Sequence, residues 1–408
     1  MATGDDSSQA PATRLVTSGR SGDFAASVVN PPVWRASTHL YADVAALREG
    51  VKTNEDGRFF YGRRGSPTQW ALCEALTALE PGAAGTVLYP SGVAAIVGAL
   101  LAVLRSGDVL LVADNAYDPT RNAAMGLLRQ YGVEHRFFDP LDLAAYEAAF
   151  CEHTRAVMLE VPGSLTMEVC DIPALARIAR AKGAVSLLDN TWATSLGFPA
   201  LERGCDIAIT ALTKHVGGHS DLMMGAASAG GRWYPKLRLG AQRLGHVVSP
   251  DDAALALRGL RTMALRLERE TASALRIAAW LRQRDEVAHV LCPMLPDAPG
   301  HELWRRDFTG GCGLFSFVLK RRDDAARCRL VDALDLFGIG YSWGGFESLA
   351  LPFDVEPVRS RMAWPKPGWE GADRHAVRLS IGLEDADDLI ADLAHGLAAM
   401  DEAGVTKE

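Results

Sequence analysis

Cysteine is scarce and unpaired in pattern. Seven thiols, Cys73, Cys151, Cys170, Cys205, Cys292, Cys312 and Cys328, are scattered through 408 residues and nowhere form C-x-x-C. That spacing favours buried thiols over a disulfide framework or a sulfur-ligated zinc site, and it fits a reducing compartment, read here as the cytoplasm. Long apolar runs are also missing. The longest, Val93 to Leu104, is closed by Arg105 and falls short of the roughly 20 residues a membrane span requires, so no membrane partner is expected. The N-terminus carries Asp5, Asp6, Ser7 and Ser8 without an apolar core or an arginine-rich face, and reads as a tail rather than a signal or transit peptide. Basic residues are in the minority, 42 Lys and Arg against 50 Asp and Glu. The resulting net charge of -8 argues against nucleic acid as the main partner, because a phosphate backbone needs a basic face.

What is present is an ordinary globular composition, 48% hydrophobic and 23% charged, with length for two or three domains. Between about Thr86 and Thr210, short apolar runs alternate with helix-like stretches. Strands are expected at 109–113, 136–138, 156–159, 185–188 and 206–209, and helices at 120–131 and 173–182. Apolar strands joined by helices imply an α/β fold with a mostly parallel sheet covered on both faces. Ligands bind outside the carboxyl ends of such strands, which selects Asp114, Glu160, Asp189 and Thr210. A long amphipathic helix is expected over 255–279. Beyond it, strands at 314–318 and 377–381 and helices at 325–337 and 386–400 suggest a smaller α+β domain.

Four constellations carry possible chemistry. Ser91-Gly92-Val93 opens an apolar helix whose first N–H groups could hold a phosphate, although a plain helix start needs no ligand. Lys214 follows an apolar strand within Thr213-Lys214-His215-Val216-Gly217-Gly218-His219. Among such small and hydroxylated neighbours a lysine can lose its proton and act as a Schiff-base nucleophile; the bland reading is a solvated loop lysine. The glycines between His215 and His219 weigh against a helical metal pair, and no metal is expected. Asp189 ends a strand, where a carboxylate wants a positive partner or makes an Asx turn. Finally, Gly340-Tyr341-Ser342-Trp343-Gly344 fits the G-x-S-x-G elbow of serine hydrolases, with Asp373 and His375 downstream. The residues after Gly345 do not begin like the helix that elbow requires.

Taken together, the chain resembles the cystathionine lyase and synthase family of pyridoxal-phosphate enzymes. The matching pieces are Tyr61-Gly62-Arg63-Arg64-Gly65, Tyr117, Pro162-Gly163-Ser164, Asp189-Asn190-Thr191-Trp192, Thr213-Lys214, Gly218-His219-Ser220-Asp221, Tyr341-Ser342-Trp343-Gly344-Gly345 and Arg378. The resemblance implies the fold type I, aspartate aminotransferase-like architecture of pyridoxal-phosphate transferases. It implies an N-terminal arm over 1–65 contacting a neighbouring subunit, a cofactor domain over 66–261 and a C-terminal domain over 262–408. Lys214 would hold pyridoxal 5'-phosphate and take the substrate's α proton, while Asp189 would pair with the ring nitrogen. Tyr117 would stack on the ring, and Gly92, Val93 and Thr213 would hold the phosphate. Tyr61 and Arg63 would reach the phosphate of a neighbouring subunit, in a homotetramer built from dimers with shared sites. Arg378 with Ser342 would bind the α-carboxylate, and Arg64 would meet the distal end of the substrate.

The implied reaction is α,β-elimination of L-cystathionine to homocysteine, pyruvate and ammonia, a step of methionine biosynthesis. Tyr341 and Trp343 favour it over γ-elimination, because γ-acting relatives usually carry an acidic residue where Tyr341 stands. A broader cysteine-S-conjugate β-lyase or a cysteine desulfhydrase would use the same residues, and a serine hydrolase using Ser342 is the alternative of another class. Two positions depart from the family pattern. Ala211 stands where many relatives have serine, and His215, read as a packing residue, stands where an aromatic is common.

Overall fold

The computed structural model describes residues 9–20, 28–52, 57–320, 324–364 and 375–400. Seven strands make the larger sheet: β1 (Gly85–Tyr89), β2 (Val109–Ala113), β3 (Glu134–Phe138), β4 (Thr154–Glu160), β5 (Val185–Asp189), β6 (Ile207–Ala211) and β7 (Gly225–Ala229). Their order is β1-β7-β6-β5-β4-β2-β3. The pairs from β6 to β3 are parallel, and β7 runs antiparallel to both β6 and β1.

Alternate residues of these strands enter different cores, as the period of two demands. Leu111, Val157, Leu159 and Leu188 face one way, with the helices Pro67–Leu79 and Ile172–Ala181. Leu110, Val112, Met158 and Leu187 face the other, with Gly92–Val103 and Tyr234–Leu244. The sheet is therefore buried on both faces, and its strands read as continuous apolar runs.

A second sheet of five strands follows: β8 (Val287–Leu291), β9 (Leu314–Leu319), β10 (Gly338–Ile339), β11 (Leu349–Asp354) and β12 (His375–Ser380), in the order β10-β11-β12-β9-β8. All its pairs are antiparallel except β10 with β11. Phe315 and Phe317 of β9 join the same apolar cluster as Val157 and Leu188, so one core continues from the larger sheet to the smaller.

Three expected elements differ. The helix expected over 255–279 is two helices, Pro250–Arg261 and Met263–Leu281, broken at Thr262 with φ -108° and ψ 5°. The break lies where Gly259 presses on the Val216–Gly217 turn; a Cβ there would sit 2.2 Å from the Gly217 carbonyl oxygen. The helix expected over 325–337 ends at Asp332. Beyond it, the Asp392 carboxylate accepts the N–H groups of Asp335, Leu336 and Phe337, drawing that stretch out of helical register. The helix expected over 120–131 starts at Asp118 and widens into a π-helical turn at Ala124–Leu128. Among the described residues no helix is long and apolar enough to cross a membrane.

Candidate active site

A cavity of about 360 Å³ opens where β1, β2, β4, β5 and β6 end. Each strand delivers a short segment to its wall: Ser91 to Val93 after β1, Tyr117 after β2, Glu160 at the end of β4, Asp189 to Trp192 from β5, and Ala211 to Lys214 from β6. The smaller sheet closes the other side with Leu314, Tyr341, Ser342, Trp343 and Arg378. The site thus lies at the carboxyl edge of the parallel strands, where doubly wound sheets bind ligands.

Lys214 sits in the turn after β6, its N–H bonded to the Ala211 carbonyl. Its Nζ donates to Ser342 Oγ at 2.7 Å and lies 5.3 Å from the centre of the Trp343 ring. Burial, with the Arg378 charge nearby, lowers its pKa to about 8, while Asp189 pulls the other way. Arg378 projects from the middle of β12 and donates through Nη2 to the Ser342 carbonyl at 2.8 Å. Burial lowers its pKa to about 10, and its Nε is buried without a hydrogen-bond partner among the described residues. Ser342 therefore accepts from two cations at once. Its φ of +83° is the left-handed conformation that non-glycine residues avoid, and the two bonds hold it there.

Asp189 is buried, and its Oδ1 accepts from the Thr191 N–H at 3.0 Å and the Thr191 hydroxyl at 2.5 Å. Burial raises its pKa, against those bonds and the Lys214 charge. One strand away, Glu160 pairs in register with Asp189. Its Oε2 accepts the Tyr117 N–H at 2.6 Å, and burial followed by the Asp189 charge raises its pKa well above the usual value. Glu160 thereby fixes the backbone of Tyr117, whose half-exposed ring lies at the cavity mouth. Sequence reasoning placed Glu160 near a site and gave it no task; the signal was only its position at a strand end.

Gly92 begins the helix Gly92–Val103, and the Ser91 side chain caps it by accepting the Ala94 N–H at 3.1 Å. A Cβ on Gly92 would lie 2.8 Å from that of Ala211, so only glycine brings this helix start so close to the end of β6. Thr213 Oγ1 accepts from Met224 N–H at 3.0 Å and donates to the Met224 carbonyl at 3.2 Å, so turning its proton toward a ligand requires only rotation of the hydroxyl.

Several expected residues lie elsewhere. Arg63 and Arg64 line a different cavity, with Gln69, Trp70, Arg238 and His246, and Tyr61 stands half-exposed beside Arg63. The chain's own fold does not bring these three to Lys214. Asp114 and Thr210 also do not line the cavity. Asp114 is turned inward to Arg121 and the Ser360–Met362 segment, while Ala211, one residue past Thr210, is the one that reaches the wall. The strand-end rule picks edges, whereas side-chain direction decides which residues face the ligand.

The serine-nucleophile reading fails on geometry. The residues directly after Ser342 run as bends into β11 and form no helix, its hydroxyl accepts from Lys214, and His375 faces Asp354 at 3.0 Å. Asp373 lies outside the described residues. His219 turns its Nδ1 to the Gly217 carbonyl at 2.8 Å, and no metal-binding cluster is gathered among the described residues.

A buried amine, a buried carboxylate with spare acceptor capacity and a guanidinium around one cavity in this fold define a pyridoxal-phosphate enzyme of fold type I, and the chain belongs to the Cys/Met metabolism PLP-dependent enzyme family, whose model matches residues 12–398. It is 46% identical over 375 residues to a putative cystathionine beta-lyase of Rhizobium johnstonii, covering 91% of each chain. It is 41% identical over 389 residues to the cystathionine beta-lyase MetC of Escherichia coli, covering 95% of this chain and 98% of that one. Its structure is similar to the crystal structure of metB from Corynebacterium glutamicum, with a TM-score of 0.86 and 29% identity over 97% and 99% of the two chains. The residues fit the cofactor. The glycine-made approach at Gly92 leaves backbone N–H groups on the wall, Asp189 lacks a cationic hydrogen-bond partner among the described residues, and Lys214 feels the opposing charges of Asp189 and Arg378.

Proposed function

We propose that this chain is a carbon–sulfur lyase that cleaves L-cystathionine by α,β-elimination, releasing homocysteine, pyruvate and ammonia. The observation that carries the reading is the convergence of Lys214, Asp189 and Arg378 on one cavity in a fold and family whose chemistry rests on pyridoxal phosphate. Bound there, the cofactor supplies a pyridinium ring that accepts the electron pair left when the α proton departs. The protein supplies the rest. Asp189 keeps the ring nitrogen protonated, because a buried carboxylate favours a cation beside it. Gly92, Val93 and Thr213 hold the phosphate through N–H and hydroxyl donors. Tyr117 covers the ring, steadied by Glu160.

Arg378 still has its Nε to offer, and together with Ser342 it takes the α-carboxylate. That orients the α C–H toward Lys214, whose lowered pKa lets the amine accept the proton near neutral pH and return it to the departing thiolate. Trp343 and Tyr341 line the path of the thioether.

The same proposal places Tyr61 and Arg63 at the phosphate of a neighbouring subunit and Arg64 at the distal end of the substrate, in a homotetramer of dimers. It divides the chain into an arm over 1–65, a cofactor domain over 66–261 and a C-terminal domain over 262–408, working in the cytoplasm. Support for the arm's role is that it leaves Val29, Leu40 and Val44 exposed and holds Tyr61 away from its own cavity. A broader cysteine-S-conjugate β-lyase or cysteine desulfhydrase is the second reading. It is favoured by one observation: among the described residues, Lys214 and Arg378 are the only cationic side chains on the cavity wall, so the chain itself offers no further cation for a distal carboxylate.

The test is pyruvate release from cystathionine, cystine and cysteine by the purified protein. A kcat/KM highest for cystathionine supports the first reading, and equal values support the second. No pyruvate from any of the three defeats both.

A further inference from the structure

Behind the cavity, three buried polar side chains converge without being satisfied. His215 is next in sequence to Lys214 and 1% exposed; Glu270 and Arg266 come from one face of the helix Met263–Leu281. His215 Nδ1 lies 3.6 Å from Glu270 Oε2. Both carboxyl oxygens of Glu270 and Nη1 of Arg266 are buried without a hydrogen-bond partner among the described residues, and the His215 ring nitrogens lack a well-aligned one, the Trp192 backbone being the other polar group beside the imidazole. Arg266 is nonetheless anchored, donating through Nη2 to the His215 carbonyl at 2.7 Å and the Gly259 carbonyl at 2.8 Å.

Room for this group has been cleared by glycine. A Cβ on Gly218 would lie 2.1 Å from Arg266 Nη1, and one on Gly344 would lie 3.0 Å from His215 Nδ1. On its other side the imidazole meets the Trp343 ring edge-on, with centroids 5.3 Å apart and planes at 61°. Trp343 is the ring that lies beside Lys214 Nζ.

A phenylalanine at 215 could pack on Trp343 without desolvating any polar atom. An imidazole next to a buried carboxylate is costly unless the two bond, and a single proton between Nδ1 and Oε2 gives each group one bond. Closing 3.6 Å to a normal bond needs a shift of only about 0.7 Å. We propose that His215 and Glu270 are a proton-sharing pair, anchored by Arg266, that holds Trp343 in place and so positions the Lys214 amine. They are positioning residues and touch neither substrate nor cofactor. The inference rests on the reading of Lys214 as the base.

The experiment uses the full-length holoenzyme labelled with 5-fluorotryptophan, the Trp343 signal being assigned by Trp343→Phe. Glu270→Gln and His215→Phe are each expected to move the Trp343 fluorine resonance. Each is also expected to lower kcat for pyruvate release about tenfold with KM changed less than about twofold, as for an interaction that orients the reacting group. The double variant is expected to be no worse than either single one, because the two act as one unit. A Trp343 resonance unmoved in both single variants, an unchanged kcat in both, or losses that multiply in the double variant, each overturns the proposal. Should His215→Phe fail to fold, the ¹⁵N shifts of His215 in the native protein and in Glu270→Gln decide: a change supports the shared proton, and identical shifts refute it. A native protein that makes no pyruvate defeats the lyase reading alone, whereas an active one with an unmoved Trp343 signal defeats the pair.

Discussion

Asp114 and Asp189 begin as equals: each is a buried carboxylate at the carboxyl end of a parallel strand, β2 in one case and β5 in the other. Their surroundings separate them. Asp114 accepts from Arg121 Nη1 at 2.8 Å, from the Ser360 hydroxyl at 2.6 Å, and from the N–H groups of Ser360, Arg361 and Met362. Burial works against its charge, but those bonds win and hold its pKa down to about 2. Among the described residues Asp189 accepts hydrogen bonds from Thr191 alone and feels the Lys214 charge, and burial wins, raising its pKa. A saturated carboxylate is a fastener. One left partly unsatisfied at a cavity wall has capacity for a cation the protein does not itself supply, and that difference is what distinguishes a structural from a functional acid in the same sheet.

The sharpest way to probe this contrast begins with the group that faces Asp189. Lys214→Ala is expected to lower pyruvate release by more than about 10³-fold while leaving the melting temperature within a few degrees, because it removes the base and not a packing contact. Asp189→Asn comes next. It should cost about 10²-fold in kcat/KM with little change in urea midpoint, since the neutral amide no longer favours a protonated ring. Comparable activity in that variant would break the comparison at its functional end.

Asp114→Asn should do the reverse. It leaves Arg121 buried and poorly paired, and is expected to lower stability by about 3 kcal/mol while activity per folded molecule is retained. The pH dependence follows in sign. Because the folded Asp114 pKa lies below the ordinary carboxylate value, its contribution is complete above about pH 4 and is lost as pH falls toward about 2. The stability gap between native protein and Asp114→Asn should therefore shrink on going from pH 5 to about 3 in urea titrations. A constant gap would show that the charge is not what Asp114 contributes. The smallest effect is expected at the rim. Tyr341 is 87% exposed, and Tyr341→Ala should change KM by about two- to fivefold with no change in melting temperature.

Much of this was legible in the residues themselves. The parallel strands were readable because strands buried on both faces are runs such as Val109-Leu110-Leu111-Val112-Ala113. The one antiparallel strand among them was not: β7 is Gly-Ala-Ala-Ser-Ala, with no β-branched residue to announce a strand, and it exists because β1 and β6 pair with both its edges. At the site, Lys214, Asp189 and Gly92 carried local signals in a strand end, a turn and a helix cap. Arg378 carried none from pattern alone, since a lone arginine within an apolar strand names no partner; only the family resemblance pointed to it. Glu160 and Glu270 became visible once distant segments met, Glu160 through the Tyr117 N–H and Glu270 through His215. Contacts across many tens of residues leave no periodic trace.

The Asp114 fastener also bears on timing. It ties the 360–362 segment, which follows β11 of the smaller sheet, to the end of β2 beside the cavity. Separating the two walls would tear several buried hydrogen bonds at once, a slow event by comparison with side-chain rotation. Met223 and Tyr341, both exposed, line the same cavity, and in this chain their side chains can move without breaking that fastener. What Asp114 supplies is therefore a fixed distance between the two walls, so that Arg378 on one and Lys214 on the other keep their spacing through the reaction.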